Sequence, residues 1–305
     1  MQFTQFSATP SIQTIPLGDL DALSVRFPEF CATIVLQGAQ IIEFATRRHA
    51  TNWLWLGEQV AFQRGTPIRG GVPICLPIFG KLSDNPISVQ ASLNHYDLPK
   101  HGDARQHIWQ YQRIDQNNTH QNSTACCLSF TLPDHVAQIA PHWQILRPTI
   151  TMTLSGDGLS IVLRVTNVGD TAVNFSQALH SYFATADITH TQVEGLEGAP
   201  FFDSLTGQGH TQHGALTFAQ EIDRIYRVAT PLRLHTPEVD LNLVSRGSAS
   251  SVLWNPWQAK ARTLDQFLPD DYTRMVCIET ANAWQDSVNL AAGACHTLGV
   301  MISLA

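Results

Sequence analysis

Charged side chains are scarce in this chain of 305 residues. They make up 14% of the sequence, against roughly 25% in an average globular protein. The 25 acidic residues outnumber the 18 basic ones, which gives a formal net charge of −7. This balance excludes a nucleic-acid-binding protein that works through bulk positive charge. Uncharged polar residues take the place of the missing charges, and 13 histidines are many for this length.

Long apolar runs are also missing. No window approaches the ~18 consecutive apolar residues that a membrane-spanning helix needs, so we expect no membrane partner. The segment from Met1 to Phe27 has neither a basic stretch nor an uninterrupted apolar stretch, which argues against a secretory signal and predicts a cytoplasmic protein. The six cysteines form no CxxC pair and show no zinc-ligand spacing, so we expect reduced, mostly buried thiols.

Apolar residues recur with a period of two in several segments. Ile150, Met152 and Leu154, for example, alternate with threonines, a pattern typical of half-buried strands. An SGDG sequence at residues 155–158 separates two such runs and predicts a hairpin. These segments indicate an all-β chain.

Helical periodicity is confined to residues 258–267, where we expect a short amphipathic turn or two. The chain has no internal repeat, no low-complexity tract and no linker rich in proline or serine. We therefore predict a single domain over residues 1–305, built as one large antiparallel β-sandwich. Such a sandwich has its own core, and we expect a monomer.

The most unusual composition lies at residues 67–80. Three prolines and three glycines surround Arg69 there, and so few backbone donors exclude a central strand. A rigid loop of this kind often carries a site, in which the Arg69 guanidinium could hold a carboxylate or phosphate through two hydrogen bonds. The alternative is an arginine that caps carbonyl groups at a sheet corner.

A second candidate segment has the sequence LPKHGDAR. Lys100 and Arg105 could join Arg69 in binding an anion, with His101 as a hydrogen-bond donor or general acid. The alternative is a solvated basic turn that Asp103 partly neutralises.

Two further candidates lie among apolar neighbours. His180 belongs to the sequence ALHSYF and Glu279 to MVCIETAN. Each could be a core residue whose polar group is satisfied by hydrogen bonds. A carboxylate in an apolar strand is nevertheless costly to bury unless it has a partner or its pKa rises, and such a group is a candidate general base.

The segments RGGVPICLPIFG, LPKHGDAR, ALHSYF and WNPW, the last followed by DDYTRMVCIETAN, resemble in this order the D-hexose-6-phosphate mutarotases of the aldose 1-epimerase superfamily. A fifth segment, EIDRIYR, is similar to the family's acidic substrate-binding segment. The resemblance extends from about Val35 to the C-terminus. It implies the galactose-mutarotase-like supersandwich, a large antiparallel β-sandwich with its cleft on one concave face.

The resemblance also implies roles for individual residues. His180 and Glu279 fall on the two catalytic positions. Glu279 as a carboxylate would take the proton of the C1 hydroxyl, and His180 as an imidazolium would protonate the ring oxygen, which opens the sugar ring. The reaction needs no metal and no cofactor. The positions implied to bind a small sugar phosphate are Arg69, Lys100, His101, Arg105 and Asp223.

The chain departs from the usual family pattern at two positions. Lys100 stands where many relatives have an uncharged polar residue, and we expect it to strengthen a phosphate site. Asp103 stands where an apolar residue is common, and it would weaken that site unless it points away.

Other functions are also compatible with these residues. An epimerase of unphosphorylated sugars such as galactose would use the same acid and base, and a carbohydrate-binding protein could keep the fold without turnover. A glycosidase would need two carboxylates, for which Asp223 and Glu279 are available, but the neighbouring histidine argues against it. A metal-dependent hydrolase would depend on the short spacing between His210 and His213.

Overall fold

The computed structural model describes residues 5–114, 125–228 and 231–305 of the chain. Short strands dominate these ranges, which confirms the all-β class. The helices are α1 (Ile87–Leu93), α2 (Val136–Ile139) and α3 (Trp257–Ala261). The strands are β1 (Ser11–Leu17), β2 (Leu20–Arg26), β3 (Phe30–Val35), β4 (Gln40–Thr46), β5 (Ile74–Cys75), β6 (Gln110–Arg113), β7 (Cys126–Thr131), β8 (Leu146–Ser155), β9 (Gly158–Asn167), β10 (Val173–Phe175), β11 (Gln177–Leu179), β12 (Tyr182–Ala184), β13 (Gln192–Glu194), β14 (Pro200–Asp203), β15 (Gln208–Thr211), β16 (Leu216–Thr217), β17 (Ile222–Tyr226), β18 (Leu232–His235), β19 (Asp240–Arg246), β20 (Ser250–Asn255), β21 (Met275–Asn282), β22 (Val288–Leu290) and β23 (Cys295–Leu304).

Within the described ranges the strands pair in antiparallel sheets. The first four strands form one sheet in chain order. A nine-stranded sheet has the order β16-β13-β18-β19-β23-β9-β8-β7-β6. An eight-stranded sheet has the order β15-β14-β17-β20-β21-β11-β5, with β12 also paired to β21. Strands β10 and β22 form a separate pair.

The predicted hairpin is present as β8 and β9. Buried and half-buried residues alternate along all of β8, as the period of two predicts. The hairpin closes between Ser155 and Gly158. A Cβ atom at Gly158 would clash with the carbonyl oxygen of Ile302, so the close approach of β23 requires glycine at this position.

Apolar side chains from both ends of the described chain meet in one large core. This core contains Leu23 and Ile34 from the first sheet and Leu298 and Ile302 from the last strand. Full burial of each large apolar side chain contributes about 1.5–3 kcal/mol to folding. The core therefore holds the sheets together from strands that are far apart in sequence.

Four neighbouring strands present their alternate side chains on one face. Tyr182 of β12 is paired with Cys277 of β21, Cys277 with Trp254 of β20, and Trp254 with Asp223 of β17. Paired residues of antiparallel strands share a face. Glu279 lies two residues beyond Cys277 and so lies on this face as well.

The predicted turn at residues 258–267 is helical only in part. Helix α3 ends at Ala261. Farther along, Gln266 has a left-handed backbone with φ of 57°, and Phe267 packs against Trp55. The loop at residues 67–80 contributes only β5, at the edge of the eight-stranded sheet, as its prolines predict. No helix among the described residues is both long and apolar enough to span a membrane.

Candidate active site

A cavity of about 370 Å³ opens over the face that carries Glu279. It brings together every side chain that the sequence predicted to be catalytic or substrate-binding, although these residues are spread over 211 positions, from Arg69 to Glu279. These residues are Arg69, Lys100, His101, Arg105, His180, Asp223 and Glu279. The arrangement supports a single site.

His180 and Glu279 face each other across two neighbouring strands. Strands β11 and β12 pair with β21 in one continuous register, and His180 lies in the gap between them, at the position opposite Glu279. The His180 backbone N–H donates to the carbonyl of Pro73 at 3.0 Å, which ties this gap to the proline-rich loop. The Nε2 atom of His180 lies 3.5 Å from Oε1 of Glu279.

Aromatic rings surround the His180 imidazole. Its ring stacks on Tyr182 with centroids 4.7 Å apart and planes within 5°. Trp254 and Phe79 each lie 6.4 Å away, and the His101 ring lies 5.6 Å away at an angle of 69°. These contacts fix the imidazole plane and exclude water from one side of it.

Burial and nearby charges decide where the proton of the pair lies. Burial, followed by the positive charges of Arg105 and Arg69, lowers the pKa of His180 to about 3. Burial, followed by the charge of Asp223, raises the pKa of Glu279 well above its ordinary value. In the protein alone, both shifts favour the uncharged forms, which are a neutral imidazole and a protonated carboxyl group. The two groups together hold one transferable proton.

The Arg69 guanidinium is fixed by one of its edges. Its Nε–H donates to the carbonyl of Asp265 at 2.7 Å, and its central carbon lies 5.9 Å from the centre of the Phe267 ring. The Nε atom of Arg69 thus caps a backbone carbonyl, as the alternative interpretation of the sequence proposed. The two terminal nitrogens make no hydrogen bond within the described part of the chain, so they are available to an anion in the cavity.

Arg105 carries a donor that the described protein groups leave unused. One terminal nitrogen donates to the carbonyl of Lys100 at 2.7 Å. Its Nε is buried and has no hydrogen-bond partner among the described residues. A buried guanidinium donor without a partner is costly, and an anion bound between Arg105 and Arg69 would satisfy it.

Asp103 lies outside the cavity lining and does not weaken the cation cluster. Its two carboxylate oxygens each lie 2.9 Å from a histidine Nε2, one on His107 and one on His142. Burial alone raises the pKa of Asp103, but the hydrogen bonds of both histidines outweigh this effect and lower the pKa to about 2. Asp103 thus contacts His107 and His142 and not the cations of the cavity.

Several residues that line the cavity were not predicted as site residues, and three of them add to its chemistry. Tyr182 and Trp254 supply aromatic surface, and Lys260 of α3 adds a fourth cation. Tyr182 could have been found from its position two residues after His180. Trp254 lies in the WNPW segment that carries the resemblance, but its place in the cavity depends on how β20 pairs with β17 and β21. Lys260 gave no such signal.

The two histidines considered for a metal-dependent hydrolase, His210 and His213, do not line the cavity. His213 is exposed, and its Nδ1 atom is 4.0 Å from Glu197.

Among the described residues, the one group of three potential metal ligands is His180, Cys277 and Glu279, with ligand atoms within 4.8 Å of one another. Burial, followed by Glu279, raises the pKa of the Cys277 thiol well above 9, so the thiol stays protonated and is a poor ligand.

Known proteins resemble this chain over most of its length. A protein of Cenchrus ciliaris named "Putative glucose-6-phosphate 1-epimerase" is 29% identical over 260 residues, which are 82% of this chain and 74% of the relative. A protein of the same name from Salmonella typhimurium is 29% identical over 280 residues, which are 90% of this chain and 87% of the relative.

Solved structures agree with these relatives. The crystal structure of a "putative mutarotase" from Salmonella typhimurium has a TM-score of 0.81 at 26% identity and covers 99% of this chain and 96% of that one. A galactose mutarotase-like protein from Lactobacillus casei, with a TM-score of 0.66 at 16% identity, shares the fold over 97% of this chain and 100% of its own. The model of the aldose 1-epimerase family matches residues 21–303, and the chain belongs to this family.

Proposed function

We propose that this protein interconverts the α and β anomers of a hexose 6-phosphate, with glucose 6-phosphate as its substrate. One observation carries the proposal: an imidazole and a carboxyl group 3.5 Å apart share a cavity with the cations Arg69, Lys100 and Arg105. The glucose-6-phosphate 1-epimerase name of two relatives supports the choice of substrate.

The chemistry requires one acid and one base beside the reacting carbon. Ring opening removes the proton of the C1 hydroxyl and delivers a proton to the ring oxygen, while the bond between C1 and the ring oxygen breaks. The open aldehyde then turns about the C1–C2 bond, and the reversed transfers close the ring on its other face. His180 and Glu279 hold one proton between them, so one of the two is always ready as acid and the other as base.

Substrate binding changes which of the two groups holds that proton. Arg105 and Arg69 are the charges that lower the pKa of His180 most. A sugar phosphate carries nearly two negative charges at neutral pH, and it offsets these guanidinium groups when it binds between them. This raises the pKa of the imidazole and so favours the imidazolium form of His180 that the resemblance implies.

The remaining side chains of the cavity hold the sugar. Asp223 accepts hydrogen bonds from hydroxyl groups, and His101 donates one. Tyr182 and Trp254 offer apolar surface to the C–H face of the sugar ring. Because all of these residues belong to one chain, the site is complete in a monomer.

The thiols of the protein support a cytoplasmic location. All six cysteines are free, and five of them are buried. Unpaired cysteines in a chain of this size are typical of a reducing compartment. We therefore place the enzyme in the cytoplasm.

Anomer exchange measured by NMR tests the proposal. The purified protein should accelerate exchange between the anomers of glucose 6-phosphate and act much more slowly on galactose. Equal rates on both sugars would instead identify an epimerase of free aldoses. Binding of glucose 6-phosphate without faster exchange would identify a carbohydrate-binding protein that does not catalyse the reaction.

A further inference from the structure

His101 and Gly80 exchange two hydrogen bonds. The His101 backbone N–H donates to the carbonyl of Gly80 at 2.7 Å. In return, the Gly80 N–H donates to Nδ1 of the His101 ring at 3.2 Å. His101 itself has a left-handed backbone with φ of 67°, which turns its side chain back toward Gly80.

The second of these bonds determines the tautomer of His101. A backbone N–H can only donate, so Nδ1 must be the unprotonated nitrogen that accepts. Burial, together with the nearby cations Arg105, Lys100 and Arg69, lowers the pKa of His101 well below its ordinary value, so the ring is neutral. A neutral ring whose Nδ1 accepts carries its proton on Nε2.

Two buried side chains hold the segment that contains Gly80. Asn85 donates through Nδ2 to the carbonyls of Phe79 and Lys81, at 2.9 and 2.8 Å. The Ser176 hydroxyl accepts from the Phe79 N–H at 2.8 Å and donates to Oδ1 of Asn85 at 2.5 Å. Asn85 therefore fixes the peptide group between Phe79 and Gly80, whose N–H donates to His101.

The same segment touches the second histidine of the cavity. The Phe79 ring lies 5.1 Å from the His101 ring and 6.4 Å from the His180 ring. Ser176 directly precedes β11, the strand that runs into His180. The hydrogen bonds of Asn85 and Ser176 thus join the two parts of the backbone that carry the histidines.

We propose that Asn85 and Ser176 are positioning residues, which hold the Gly80 N–H against His101 so that this histidine presents a fixed Nε2–H donor to a substrate oxygen. The catalytic part of this inference rests on the proposed function. The tautomer is a property of the protein without substrate, so the two can fail separately.

The tautomer is measured by long-range ¹H–¹⁵N NMR on protein with ¹⁵N-labelled histidine, and His101→Gln assigns the signal. His101 should be the neutral Nε2–H form throughout the neutral pH range. In Ser176→Ala the signal should move to a mixture of both neutral tautomers. Ser92→Ala is the matched control. The half-buried Ser92 hydroxyl also accepts a backbone hydrogen bond, from Asn174, but Ser92 does not contact the Gly80 segment.

Kinetics on glucose 6-phosphate completes the test. Ser176→Ala should lower kcat about tenfold with KM nearly unchanged, since a displaced donor costs rate more than binding. Asn85→Asp, which sets a carboxylate oxygen against a backbone carbonyl, should act in the same direction. The proposal is overturned if His101 of the unmodified protein is the Nδ1–H tautomer, or if Ser176→Ala changes neither the tautomer nor kcat more than Ser92→Ala does.

Discussion

His180 Nε2 lies 3.5 Å from Glu279 Oε1, at facing positions of two strands that meet in one register. Burial and the guanidinium groups of Arg105 and Arg69 lower the pKa of His180, while burial and the charge of Asp223 raise the pKa of Glu279. In the protein alone, both effects favour the proton of the pair on the carboxyl group. In the proposed reaction, catalysis depends on the transfer of this proton between the two side chains. A bound anion favours the imidazolium form of His180, because it offsets the charges of Arg105 and Arg69.

The pKa of His180 should depend on bound phosphate. In the protein alone the imidazole should stay neutral down to a pKa of about 3. Saturating inorganic phosphate should raise this value by about one pH unit or more, because a dianion offsets Arg105 and Arg69. NMR titration measures both values, with His180→Asn for assignment and chloride at equal ionic strength as the control for screening. A pKa near its ordinary 6.5 without phosphate, or no response to phosphate, would refute the proposed proton transfer.

Arg69→Ala should separate phosphorylated from free sugars. Loss of a charge-assisted hydrogen-bond pair should lower kcat/KM for glucose 6-phosphate about 10- to 100-fold, while the slow rate on glucose stays within about twofold. Arg64→Ala is the matched control, because Arg64 is exposed and does not line the cavity. An equal loss on both sugars would show that Arg69 does not recognise the phosphate.

Asp103→Asn should destabilise the fold without changing the cavity. The folded pKa of Asp103, about 2, lies below its ordinary value, so the carboxylate stabilises the fold fully above about pH 3.8. This contribution is lost as the pH falls from there toward about 2. Denaturant unfolding at neutral pH should show a loss of about 2 kcal/mol in the free energy of unfolding. The exposed Asp97 supplies the control Asp97→Asn, and equal stability of both variants would contradict the prediction.

Removal of metal ions should not change the rate. The reaction uses a proton held by two side chains, and the nearby Cys277 thiol is protonated. Anomer exchange after dialysis against a chelator should therefore equal that of untreated protein, and Cys277→Ala should keep most of the activity. A loss that an added divalent cation restores would require a metal at the group formed by His180, Cys277 and Glu279.

The sequence predicted the all-β class and several strands, and the resemblance to the mutarotases indicated the residues that line the cavity. Strand β8 shows its period of two directly, and the prolines around Arg69 place that loop at an edge. His180 and Glu279 stand out because polar groups in apolar strands need a partner. These signals are local, so they can be read without knowledge of the fold.

The missing parts depend on contacts between distant segments. The facing positions of His180 and Glu279 follow from the pairing of β11 and β12 with β21. The proton position depends on Arg69 and Arg105, which approach His180 only in the folded chain. The helical turn predicted within residues 258–267 is present as α3, but helical periodicity did not reveal that Phe267 packs against Trp55.

The rate of exchange between the anomers of glucose 6-phosphate in Glu279→Gln and His180→Asn tests the central claim most directly. Glu279→Gln keeps the size and polarity of the side chain, and His180→Asn keeps a polar but smaller side chain. Both substitutions remove proton transfer at their position. Each should lower the NMR exchange rate by about 100-fold or more, while glucose 6-phosphate still binds through Arg69, Lys100 and Arg105. Exchange at the rate of the unmodified protein in either variant would contradict catalysis by this pair.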